Sequence, residues 1–338
     1  MIDDLLETYE GKEILVTGGC GSIGSEIVRQ LLKYNPKSVR VLDNCESKLF
    51  HFMNKMNEDF PEKRNILRYL LGDVRDKNRL KTAVKQVNIV FHAAALKHVA
   101  LCEYNPYDAV QTNVIGTQNL IDVVKEEKVE KMILISTDKA VNPINTMGAT
   151  KLLGEKLMLT AAIGRTDTLF SCVRFGNVIN SDGSVIPIFK KQIKKDELVT
   201  VTSEKMTRFF MTISDAVYLV LKSTKIMEGR EIFILKMPSI KIIDLAKVLI
   251  EDLSNKNIKI EITNPVAGEK YSEMLVTPEE SQYITETEDM YILKHFLNIP
   301  SHTQTQLNIT KQWSYDSNTC KTLAKDEIRT LLKKSKII

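Results

Sequence analysis

No stretch of the 338-residue sequence approaches the roughly 20 consecutive apolar residues that span a bilayer, so a membrane-spanning chain is not expected. Residues 1–10 are acidic and lack the apolar core of a signal peptide. The five cysteines, Cys20, Cys45, Cys102, Cys172 and Cys320, are odd in number and widely spaced, and no Cys-x-x-Cys occurs. That pattern argues against a disulfide framework and a zinc site, and for reduced thiols in a cytoplasm. The five histidines show no metal-ligand spacing, and no metal is expected. Lys and Arg number 47 against 43 Asp and Glu, a net charge of +4, yet they form no block that would grip nucleic acid. The mild basicity fits solvated surface, with a few cations left for an anionic small substrate. Internal repeats and low-complexity tracts are also missing.

What is present is a globular balance, 43% apolar and 27% charged, in a length that suits one large domain or two modest ones. Short, nearly continuous apolar runs at 13–17, 38–43, 66–71, 89–93, 132–136 and 168–174 read as strands. Helical patterns at 22–33, 107–125 and 148–162 fall between them. Buried strands alternating with amphipathic helices predict an α/β, doubly wound parallel sheet (Rossmann), with ligand at the carboxyl ends of the strands. After about residue 177 the pattern loosens. Helices at 184–195, 213–222, 240–251 and 325–334 and strands at 231–235 and 258–262 suggest a smaller mixed α/β C-terminal substrate lobe. The division expected is 1–180 for the nucleotide-binding domain, with elements near 211–236 returning to it, and 181–338 mainly for the lobe and tail. From Tyr291 onward the pattern is least readable.

Gly18, Gly21 and Gly24 follow the first strand and open a helix, with Ser22 and Ile23 between the last two. Glycines permit the tight turn and let a pyrophosphate approach backbone N–H groups at a helix N-terminus. The other reading is a glycine turn without ligand; the strand–loop–helix context favours a dinucleotide. Asp43, ending the second strand, suits the two ribose hydroxyls and repels a 2′-phosphate. Asn44 follows it and no arginine stands there, so NAD is expected over NADP. Asp43 also suits a helix cap. Asp73 and Val74 close the third strand where an adenine could rest, and the small Ala93, Ala94 and Ala95 close the fourth. His92 reads as packed in the strand end and His98 as structural.

At the end of the fifth strand stand Ser136, Thr137, Asp138 and Lys139. An acid beside a base can serve both halves of an elimination, removing a carbon-bound proton and protonating a leaving hydroxyl. Taken alone, the pair is more simply an exposed ion pair. Lys151 lies four residues after Met147, on one side of a helix. Met147 has no acidic hydrogen and reads as core filler. Thr137 is then the nearest group for a substrate hydroxyl.

These residues resemble the extended short-chain dehydrogenase/reductase family, and more narrowly its UDP-N-acetylglucosamine 4,6-dehydratases. The likeness runs from about residue 10 to 280. It rests on 91–99, Glu103-Tyr104-Asn105-Pro106, 112–117, 136–151, 173–178, 183–187, 206–210 and Gly268-Glu269-Lys270. In that family a tyrosine commonly precedes the lysine by four positions; the methionine here marks a branch of the same group. The resemblance implies NAD-dependent hydride removal at carbon 4 of UDP-N-acetylglucosamine, proton removal at carbon 5 by Lys139, protonation of the leaving hydroxyl by Asp138, and hydride return to carbon 6. It implies that Lys151 binds the nicotinamide ribose, that Lys97 touches cofactor and substrate, and that Asn113 and Val178 line the cofactor. Asn177, Val185, Pro187 and Thr202 would line the substrate, Arg208 would meet the diphosphate, and Glu269 would hold the nucleotide. A homo-oligomer, a dimer or higher, is implied through the helices at 107–125 and 148–162. The family often has arginine and proline where Val266 and Ala267 stand. Two rivals remain, a UDP-sugar 4-epimerase and a non-catalytic NAD-binding sensor or scaffold. The glycine loop and Asp43 incline the carbon-5 outcome toward retention, with inversion open.

Overall fold

The strands of the first half are mostly buried along their length, and helices run between them. The computed structural model describes residues 2–163, 166–181, 183–265, 268–294 and 312–338. Its strands begin with β1 (Glu13–Thr17), β2 (Ser38–Asp43), β3 (Leu67–Leu71), β4 (Ile89–His92), β5 (Lys131–Ile135) and β6 (Leu169–Arg174). They continue with β7 (Asn177–Val178), β8 (Val199–Val201), β9 (Thr207–Met211), β10 (Glu231–Leu235) and β11 (Ser239–Lys241). The last are β12 (Ile260–Ile262), β13 (Met274–Val276), β14 (Ile284–Glu286), β15 (Met290–Lys294) and β16 (Tyr315–Asp316). The helices are α1 (Ile2–Tyr9), α2 (Ser22–Leu31), α3 (Glu46–Asp59), α4 (Lys77–Val84), α5 (Val99–Tyr104) and α6 (Pro106–Val110). They run on through α7 (Gly116–Glu126), α8 (Thr146–Ala161), α9 (Val185–Lys194), α10 (Ile213–Ile226), α11 (Ile242–Leu253) and α12 (Lys325–Lys334).

Nine strands form one sheet in the order β14-β15-β10-β6-β5-β4-β1-β2-β3. From β10 to β3 every pairing is parallel, with β1 between β2 and β4 (Ile14 opposite Val39 and Ile89). The chain reverses direction across the sheet between β1 and β4. In this doubly wound Rossmann architecture a ligand crevice opens at that switch point, outside the carboxyl ends of the strands. β14 and β15 extend the sheet antiparallel on the far side. The sequence pattern left these residues with the second lobe, because one short antiparallel hairpin carries no crossover helix to announce it.

A second apolar core lies apart from the first. Ile186, Phe189 and Ile193 of α9, Leu245 and Leu249 of α11, and Ile328 and Leu332 of α12 close around Val199, Phe210 and Ile240. Here β9 pairs with β11 and β7, β8 with β12, and β13 with β16. Residues 240 and 241, expected at the start of a helix, instead belong to β11, whose pairing with β9 satisfies their backbone. The expected helix at 107–125 is interrupted by a π-helical turn, Gln111–Ile115. Among the described residues no helix is long and apolar enough to cross a membrane.

Candidate active site

The glycine loop ends β1 against the end of β4. Gly18 has φ +62°, and a Cβ built there would lie 2.7 Å from the Ala94 backbone, so only glycine fits. At Gly24 a Cβ would come within 2.2 Å of the Gly18 carbonyl, which lets α2 start hard against the loop. Gly21, the residue before α2, supplies no side-chain cap, and Ser22 and Ile23 form its half-buried first turn. This cradle suits a pyrophosphate.

Asp43 accepts from Cys20 N through Oδ2 and from Cys45 N through Oδ1, both at 3.1 Å. It therefore ties the glycine loop to the start of α3, and a carboxylate's remaining lone pairs stay available for hydroxyls. Asn44 donates to Asp73 Oδ2, and Arg75 grips Asp73 through two bonds. The Arg75 bond is the chief cause that holds the Asp73 carboxyl down to about 2. Val74 and Val178 are buried in the main core, so their side chains serve packing. Ala93, Ala94 and Ala95 lie half-buried along the crevice, and Lys97 is exposed beyond them.

Below this floor, Thr117 donates to Asn113 O, so its oxygen takes the proton of His92 Nε2, while Thr17 donates to Nδ1. Burial, with Lys151 second, pulls His92 down to about 3, consistent with a neutral ring. Asn113 is 3% exposed. Its amide donates to Leu96 O and Thr150 Oγ1, and its oxygen accepts from Leu96 N. Asn113, expected to line the cofactor, clamps the turn after β4 through these bonds. The π-turn brings it there.

The acid and base sit where β5 ends. Thr137 caps a short 3₁₀ turn, Asp138–Ala140, accepting from Lys139 N and donating to Asp138 Oδ1 at 2.9 Å. Asp138 is fully buried. Its Oδ1 also accepts from Lys139 Nζ at 3.0 Å, while Oδ2 is buried with no hydrogen-bond partner. The pair is therefore no surface decoration. Burial pulls the Lys139 ammonium down, but the Asp138 and Glu273 carboxylates outweigh it and its pKa is raised.

Glu273, which no sequence signal picked out, is 3% exposed and places Oε1 3.4 Å from Lys139 Nζ. Burial pushes its carboxyl up, against the pull of Lys139. Arg208, expected at a diphosphate, lies only 6% exposed. Its guanidinium donates to the carbonyls of Thr207, Lys270 and Tyr271, with Glu269 at 3.6 Å and Glu273 at 3.9 Å. Through these contacts it holds the 269–273 segment. Lys270 donates to Val141 O, and Asn145 to Gly268 O, which docks the same segment on the turn after β5. Val266 and Ala267 lie outside the described residues.

Asn145 also caps α8 through Gly148 N. On that helix Met147, 3% exposed, packs with Cys102, Ala109 and Val99. Lys151 is 8% exposed and donates to Ile135 O. Burial lowers its pKa to about 8, with Glu155 opposing. Beneath, Arg174 grips both oxygens of Glu155 at 2.8 and 2.7 Å and reaches Glu280 at 2.9 Å, while Ser136 donates to Glu155. Sequence reasoning missed this buried pair, because nothing local marks a strand arginine and a helix glutamate as partners. On the lobe side, Asn177 stands half-buried opposite Phe210, Val185 and Pro187 form the first turn of α9, and Thr202 follows β8.

Comparison with known proteins gives the following. A family model described as polysaccharide biosynthesis protein matches residues 14–295. The chain is 43% identical over 289 residues to a UDP-N-acetylglucosamine 4,6-dehydratase (inverting) of Campylobacter jejuni, covering 84% of this chain and 83% of that one. It is 38% identical over 332 residues to a UDP-glucose 4-epimerase of Rickettsia rickettsii, covering 96% of each. Among solved structures, Pen from Bacillus thuringiensis superposes with a TM-score of 0.88 at 41% identity, covering 96% of this chain and 99% of that one.

Proposed function

Because the chain belongs to the polysaccharide biosynthesis protein family, within the extended short-chain dehydrogenases/reductases, we propose that it is an NAD-dependent nucleotide-sugar 4,6-dehydratase. The substrate we assign is UDP-N-acetylglucosamine and the product a UDP-4-keto-6-deoxy-N-acetylhexosamine. One observation carries the reading: a buried acid and a lysine, 3.0 Å apart, end β5. A simple dehydrogenase or an epimerase has no use for that pair.

The Gly18–Gly24 cradle and Asp43 would hold NAD, which would supply a hydride acceptor for carbon 4 and the hydride returned at carbon 6. Oxidation at carbon 4 acidifies the proton on carbon 5. The Lys139 amine takes that proton, the bond from carbon 6 to oxygen breaks, and Asp138 gives its proton to the departing hydroxyl, which leaves as water. The proton of the carbon-4 hydroxyl would leave past Thr137, which is bonded to Asp138, to water, and a proton taken back from water recharges Lys139 after it has returned its own to carbon 5. Lys151 would meet the nicotinamide ribose, Lys97 would reach cofactor and substrate, and Asn177, Val185, Pro187, Thr202 and Glu269 would line the sugar nucleotide. Arg208, which braces the 269–273 segment, would meet the diphosphate.

We assign retention at carbon 5. Position 147 carries a thioether with no acidic hydrogen. Without a second proton carrier there, Lys139 returns the proton to the face it took it from. The Campylobacter relative's name speaks for inversion, and the Rickettsia relative's name for the epimerase reading.

Proton NMR of the protein with UDP-N-acetylglucosamine in deuterated water tests all three. The expected result is a new methyl signal with deuterium at carbon 5 and ring couplings of the retained sugar. Couplings of the inverted sugar would overturn the stereochemistry alone. An epimerised sugar without a methyl would make the chain an epimerase, and unchanged sugar would remove this substrate.

A further inference from the structure

Lys139 lies between two carboxylates. Asp138 approaches its ammonium at 3.0 Å from the 3₁₀ turn, and Glu273 at 3.4 Å from the segment before β13. Glu273 is buried, and its backbone is fixed by Ser317, which takes its N–H and donates its own N–H to its carbonyl, both at 2.9 Å. Its Oε2, like Asp138 Oδ2, has no hydrogen-bond partner. The charged groups facing it are Lys139 and Asp138 from the turn, Arg208 from β9 at 3.9 Å, and Lys270 from its own segment at 3.8 Å, with Glu269 beyond Arg208 at 3.6 Å.

We infer that Glu273 is a positioning residue for the elimination: it holds the Lys139 amine against Asp138, and by keeping or losing its own proton it sets the pH at which Lys139 and Asp138 exchange theirs. This rests on the dehydratase reading. Elimination needs Lys139 as a neutral amine and Asp138 as a neutral acid. One proton moved from the ammonium to the carboxylate achieves that: an N–H bond breaks, an O–H bond forms, and both charges vanish together. The elimination then restores the starting charges, because Lys139 gains the carbon-5 proton as Asp138 gives its own to water.

An ionised Glu273 favours the ammonium and so opposes the exchange, while a protonated one releases it. Burial of an oxygen without a partner disfavours the ionised form, the direction in which the Glu273 carboxyl is moved. Glu273 and Lys139 are close enough to interact, so the pH limits of turnover belong to the cluster and not to one side chain.

The test is the pH profile of kcat for Glu273→Gln beside Glu273→Asp. Gln removes one negative charge from the Lys139–Asp138 pair. Both limbs of its profile are expected at lower pH, by about one unit or more. Asp keeps the charge, and its limbs are expected within a few tenths of a unit of the wild type. A Gln profile that lies on the wild-type one, with only the rate reduced, overturns the inference and leaves Glu273 a packing residue. Should the Gln variant fail to fold, carbon-13 NMR of glutamate carboxyls in the wild-type protein decides. One carboxyl titrating clearly above the ordinary value of about 4.3 is expected, and none above it overturns the inference. The two readings fail separately: wild-type protein that yields no methyl product refutes the dehydratase, whereas the carboxyl titration needs no turnover.

Discussion

Met147 and Lys151 share one side of α8 but carry different kinds of consequence. Leucine in place of Met147 keeps volume and apolarity among Cys102, Ala109 and Val99. Turnover is expected within about twofold of wild type and stability within about 1.5 kcal/mol. A large loss of kcat in a stable Met147→Leu protein would give the sulfur a chemical part. Lys151 holds a pKa of about 8 in the fold against 10.5 in the free side chain. Between those values the unfolded chain binds more protons than the fold, so this residue's contribution to stability rises as pH climbs from about 8 to about 10.5. Below that window the cost of a buried ammonium is fully present. The gain is at most about 3 kcal/mol. Urea midpoints of wild type and Lys151→Met, compared at pH 8 and pH 10, are expected to move in the wild type's favour at the higher pH. A constant difference would contradict it.

At the scale of elements, β6 and α8 are joined through charge, because Arg174 and Glu155 are both nearly inaccessible and bonded twice. Arg174→Met leaves an uncompensated buried carboxylate, and about 3–5 kcal/mol is expected to be lost in urea denaturation. Adding Glu155→Leu should recover much of it, since the apolar pair no longer needs desolvated charges; no recovery would mean that the arginine's other bonds carry the cost. This network also shows what the sequence holds and what it hides. Strands β1 to β6 are legible because each is a short apolar run between helices, and the Asp138–Lys139 pair is legible because its members are neighbours in the chain. Glu155, Arg174 and Glu273 are ordinary charged residues in sequence; only folding brings Glu273 to Lys139 and Arg174 to Glu155. The π-turn at Gln111–Ile115 is hidden for another reason: no residue type marks one extra residue in a helical turn, and Asn113 lies buried within it.

At the scale of the whole molecule, large apolar side chains stand exposed on α5, α6 and α8. Leu101, Tyr104 and Tyr107 of α5 and α6 are 62%, 87% and 72% exposed, with Leu153 of α8 at 50%. We propose this face as the contact between two copies of the chain. Leu101→Glu with Tyr104→Glu is expected to halve the mass seen in sedimentation while leaving the circular dichroism unchanged; unchanged mass would refute that contact. The clasp on the reacting cluster has a consequence in time. Ser317 bonds Thr207, at the start of β9, and both backbone groups of Glu273, and β16 pairs with β13 beside it. A ribosome releases the acid and base of β5 long before residues 315–317. During synthesis strands β1 to β6 can pair while Glu273 still lacks its Ser317 anchor, so Lys139 meets its second carboxylate in its final position only once the late segment has been made.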